Sequence, residues 1–112
     1  MNESTYLITF DDTSPADANR YADELRNALL DATPDIVVQR KRNDLHAQDF
    51  GATLIVILGT PVVAAVVTAV GNWLKLRQSA SITWKTEDEH ILVQNITSKD
   101  AAQLAQLLLT KN

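Results

Sequence analysis

The chain has 112 residues, which sets one domain as the length expectation. It has no cysteine, which excludes disulfides, iron–sulfur clusters and thiol chemistry, and with them an extracellular disulfide scaffold. A formal net charge of −4 without a basic stripe argues against nucleic acid as a partner.

Met1, Asn2 and Glu3 lead straight into an alternating run, with no basic start and no apolar stretch of the signal-peptide kind, so a cytoplasmic location is expected. Tyr6, Ile8 and Phe10 alternate with Leu7 and Thr9, the period of a strand over 5–10. Ser14 then fits a helix N-cap, with Pro15 at the first helical position and Asp17 three residues after the cap. Ala18, Tyr21, Ala22, Leu25, Ala28 and Leu29 recur on one face, so an amphipathic helix is predicted over 15–32. Thr33-Pro34 ends it, and a second strand is expected over 36–41.

Residues 50–74 carry no charge. At 25 residues the segment is long enough for a bilayer, which needs about 20 apolar residues. Gly59-Thr60-Pro61 interrupts it, however, and its later half is built of Val, Ala, Thr and Gly. A span would also separate the flanking strands from each other. The reading is therefore a long helix over 52–77 with a bend near 59–61, and Lys75 and Arg77 at the negative end of its dipole. The stretch 62–70 is apolar on all sides, and the sheet of a small domain covers one side only. Val62, Val63, Val66, Val67, Val70, Trp73 and Leu74 are accordingly the candidate interface, and a homo-oligomer is the simplest expectation. The alternatives are an internal core helix, and a membrane-associated or membrane-inserting chain that uses residues 50–74.

Strands over 80–86 and 90–96, joined by Glu87-Asp88-Glu89, read as an antiparallel hairpin. Thr97 and Asp100 cap a last helix over 98–110. The expected architecture is α+β, a two-layer sandwich with a four-stranded mixed sheet in the order β-α-β-α(long)-β-β-α. That is ferredoxin-like in content but not in connectivity.

The apolar run with Gly59-Thr60-Pro61, then Asn72-Trp73-Leu74-Lys75-Leu76-Arg77, then Ser81-Ile82-Thr83-Trp84, resembles the effector-associated constant component one family. The likeness covers residues 50–109. It implies a component of bacterial conflict systems, anti-phage defence among them, that scaffolds an effector such as a protease or a nucleotide-dependent switch. It implies no catalytic residues.

The residues themselves offer little chemistry. Asp11-Asp12 after a strand is like the acidic pair of a phospho-receiver, but the later Asp and Lys of that site have no counterpart here. Gly59-Thr60-Pro61 lacks the further glycine and the Gly-Lys-Ser/Thr of a phosphate loop. His46, with Asp44 and Asp49, and His90 show no metal-ligand spacing. Arg40, Lys41 and Arg42 are too few for a nucleic-acid surface. Tyr21, Trp73 and Trp84 fit core or interface anchors. The expectation is a non-enzymatic interaction module without a cofactor.

Overall fold

The computed structural model describes residues 3–11, 13–41, 53–77, 79–88, 90–100 and 103. Within them the chain runs β1 (Glu3–Phe10), α1 (Pro15–Ala32), β2 (Val37–Lys41), β3 (Thr53–Gly59), α2 (Val63–Leu76), β4 (Ile82–Thr86) and β5 (Ile91–Ile96). Short 3₁₀ turns lie at Thr60–Val62 and Ser98–Asp100.

The order across the sheet is β2-β3-β1-β4-β5, and every neighbouring pair is antiparallel. β1 and β2 thus run the same way with β3 between them. β3 and β4 also run the same way, with β1 between them. Two β-α-β units, each split by a strand of the other, are the ferredoxin-like arrangement. β5 extends it at the β4 edge by a hairpin.

Three expectations need correction here. The sheet has five strands among the described residues and is antiparallel, not four-stranded and mixed. Its connectivity is ferredoxin-like once the strand Thr53–Gly59 is recognised. The helix predicted over 52–77 is confined to Val63–Leu76. The cause of the last two is Leu54-Ile55-Val56-Ile57-Leu58, which is apolar at every position. Such a run has no readable period, and only its β-branched content points to a strand. Burial resolves it: Leu54, Val56 and Leu58 are buried, while Ile55 and Ile57 are half-buried on the opposite face.

The first strand, the first helix and the hairpin lie where the periodicity puts them. Ser14 caps α1, its Oγ accepting from the Asp17 N–H at 3.1 Å. Thr33 closes the helix, its N–H and its hydroxyl both donating to the Leu29 carbonyl at 2.9 Å. The next helix, α2, starts without such a cap. The cap position falls on Val62, without a side-chain hydrogen bond. At the far end, Thr97 and Asp100 do exchange bonds: the Thr97 N–H donates to the Asp100 carboxylate at 3.3 Å and the Asp100 N–H to the Thr97 carbonyl at 3.0 Å. The remainder of the helix expected over 98–110 lies outside the described residues, apart from Gln103.

One continuous core fills the space between the sheet and the two helices. Ile8, Leu25, Leu29, Leu54, Val66, Val70, Leu74 and Ile82 are wholly shielded from solvent. Each such aliphatic side chain contributes about 2 kcal/mol by burial. Phe10, Tyr21 and Trp73 meet edge-on or tilted, with ring centroids 5.5 to 6.1 Å apart. Tyr6 meets Trp84 edge-on at 5.6 Å. The aromatics expected as anchors are therefore core residues.

β5 reaches this core only through an irregularity. Val93 and Ile96 are both buried, yet three positions apart they would point to opposite faces of a regular strand. The pairing of β4 with β5 shifts register between Ile82 and Trp84, and Asn95 takes φ 56°. Asparagine tolerates that left-handed conformation better than most residues. The extra residue re-phases the strand, so Ile96 turns inward.

Candidate interaction surface

α2 buries a broad face because its sequence is apolar over most of its circumference. Val66, Val67, Val70, Trp73 and Leu74 are buried in the chain's own core, and Val62 and Val63 pack against it. The interface expected on these seven residues is corrected for four of them: Val66, Val67, Val70 and Leu74 are enclosed by their own domain and have no surface left for a partner, whereas Val62 and Val63 are half-buried and Trp73 shows only an edge. The error follows from the strand. With Thr53–Gly59 in the sheet, the domain has enough surface to cover the broad apolar face of α2.

The exposed strip of α2 is a different set. Ala64, Thr68 and Asn72 recur every four residues, flanked by Ala65, Lys75 and Leu76. Leu76 is 82% exposed, the most exposed large hydrophobic residue among those described. Between this strip and the last turns of α1 lies an open groove of about 670 Å³. Ala28, Ala32, Ala64 and Ala65 form its sides, and Ala69 and Trp73 its floor. Its polar members are Asp31, Thr68 and Asn72. The groove exists because both helices present alanine where they face each other at the surface. A side chain without reach leaves a hollow above the contact.

An ion pair ties the two helices together beside the groove. Arg77, the C-cap residue of α2, grips Glu24 of α1 with two nearly parallel bonds, Nε to Oε1 at 2.8 Å and Nη2 to Oε2 at 2.5 Å. Such bidentate pairs add geometric definition as well as energy. This one is partly exposed, which limits it to about 1 kcal/mol. Tyr21 and Ser79 share a hydroxyl hydrogen bond at 3.2 Å beside it.

The other side of the sheet is covered by neither helix. Leu7 is buried there, Ile55 and Ile57 are half-buried, and Val37 and Ile91 are exposed. Leu7 stands opposite both Ile55 and Lys85.

The remaining sequence motifs resolve into structural roles where they are described. The Asp11 carboxylate accepts from the hydroxyls of Thr83 at 2.8 Å and Ser81 at 3.3 Å, and the Asp11 N–H donates to the Ser81 carbonyl at 2.8 Å. It fastens the end of β1 to the start of β4. Arg40 bonds to Asp23 at 3.1 Å and to Asn19, tying β2 to α1. His90 is exposed in the hairpin. Asp12, Arg42, Asp44, His46, Asp49 and Glu89 lie outside the described residues. Among the described residues, no three His, Cys, Asp or Glu side chains gather as a metal site would require.

The turn of the hairpin holds one perturbed acid. Thr86 donates its hydroxyl to the Asp88 carboxylate, and this bond first, then the backbone N–H of Asp88 itself, hold the carboxyl below its usual value. His90 adds a smaller push in the same direction.

These features define a split β-α-β sandwich with an added edge strand and a small-residue groove on its helix layer. No protein-family model matches the chain, and no curated protein or solved structure does either. The likeness to the effector-associated constant component one family therefore rests on the residues quoted for it.

Sequence reading missed the groove for a physical reason. A helix that is apolar all round hides which of its faces is the exposed one. A partial signal lay in residue type: the large inward positions hold Val, Leu and Trp, whereas Ala64, Ala65, Thr68 and Asn72 of the exposed strip are small or polar.

Proposed function

We propose that this chain is a non-catalytic interaction module that self-associates through its helix layer and couples to an effector protein, as a scaffold component of a bacterial conflict system. The observation that supports this reading most is the groove between α1 and α2, with Leu76 82% exposed at its rim. Substrate pockets enclose their ligand and aim several polar groups at one point. This groove is open, alanine-lined and poor in such groups, which suits the apolar side chains of another protein. The resemblance supplies the class of effector, a protease or a nucleotide-dependent switch.

The module reading also accounts for the segment 50–74 without a membrane. No helix among the described residues is long and apolar enough to cross one. α2 has 14 residues, about 21 Å of helix, against the roughly 30 Å of a bilayer's hydrocarbon.

Purification of the tagged chain from the cells that encode it tests the proposal. A second polypeptide with the sequence of a protease or nucleotide-dependent switch should co-purify in fixed proportion. Recovery of the folded chain with no such companion contradicts the coupling role.

A further inference from the structure

Resting on the module reading, we infer that the groove is occupied by a second copy of this chain, packed about a two-fold axis so that α2 lies antiparallel to its counterpart. The argument is self-complementarity. A two-fold contact sets the same patch against itself, so each feature must find its complement elsewhere in that patch. The strip of α2 meets this condition. A knob, Leu76, stands at its C-terminal end, and a hollow walled by Ala64, Ala65 and Ala32 at its N-terminal end. An axis passing near residue 70 lays each Leu76 over the alanines of the other copy.

The same operation arranges the polar groups. Thr68 comes opposite Asn72 of the second copy, and Asn72 opposite its Thr68, giving two hydroxyl–amide pairs. Asp31 sits on the rim at the hollow end, and Lys75 precedes Leu76 at the knob end. Both are exposed, and neither has an ion-pair partner among the described residues. Antiparallel packing brings the Lys75 of one copy to the end that holds Asp31 of the other, twice per dimer. A parallel arrangement would set Asp31 beside Asp31 and Lys75 beside Lys75. Charge therefore selects the antiparallel register.

Charge reversal tests the register. Sedimentation equilibrium of the full chain should show a reversible dimer. Asp31→Lys and Lys75→Asp should each weaken it about tenfold, since each replaces two attractions by two repulsions. The double variant should recover most of the loss. Ala65→Arg, which fills the hollow from an exposed position, should abolish the dimer while leaving the circular dichroism and melting curve in place. A chain monomeric throughout, or a double variant no tighter than the singles, overturns the inference. A dimer indifferent to Ala65→Arg overturns it too. In either case the coupling role stands or falls separately, on the co-purifying effector.

Discussion

Asp88 shows how a single turn residue tunes its own chemistry. Its carboxylate is fully exposed, so burial contributes little, and the hydroxyl of Thr86 is the main cause of its lowered pKa. A group whose folded pKa is depressed stabilises the fold above its unfolded value, and that contribution is lost as the pH falls through the folded one. The hairpin should therefore keep its Asp88 contacts at neutral pH and lose them only below the ordinary carboxylate range. Carboxyl titration by NMR should place Asp88 below an ordinary aspartate, and Thr86→Val should move it back toward that value. An Asp88 that titrates alike in both proteins would show that the hydroxyl does not hold it. Core residues obey a different logic. Trp73 and Trp84 bury their indole N–H groups without an acceptor among the described residues.

The elements divide into those the sequence makes plain and those it hides. α1 is plain because it is bounded by Ser14-Pro15 and Thr33-Pro34 and is apolar on one face only; the observed bounds, Pro15–Ala32, coincide with the expected ones. β4 and β5 are plain because charged residues mark the turn between them. β3 is hidden because a strand with one face in the core and the other half-buried has apolar residues at every position, and period then carries no information. The same blindness placed the interface on Val66 and Val70, the core-facing side of α2, and not on the strip that carries Ala64, Thr68 and Asn72. Two substitutions test the revised assignment. Val56 lies in β3, bonded to strands on both sides, so Val56→Pro removes a ladder position and should cost about 3 kcal/mol or more. Val66 is wholly enclosed, so Val66→Lys buries an unpaired charge and should unfold the domain in a denaturant series. A Val66→Lys protein that stays folded would place that side chain on a surface after all.

At the scale of the whole molecule, the uncharged segment serves three purposes. Its first part is β3, between β1 and β2 in the sheet. Its middle is the inward face of α2, which closes the core. What remains is a strip of small side chains with Leu76 just beyond it. The added strand β5 bears on association as well. A sheet edge offers unpaired backbone groups to other chains, and bulges and charges discourage such pairing. β5 carries the bulge at Asn95, and β2, at the opposite edge, carries the exposed Arg40. Both edges are thus poor templates for strand addition, and the helix layer is the more favourable surface for self-association. That claim is tested most directly by the mass of the purified chain, measured by light scattering over a concentration series beside Ala65→Arg. The account predicts that the native chain approaches twice its monomer mass as concentration rises, while Ala65→Arg stays at one. A single-chain mass at every concentration, or the same rise in both proteins, would contradict it.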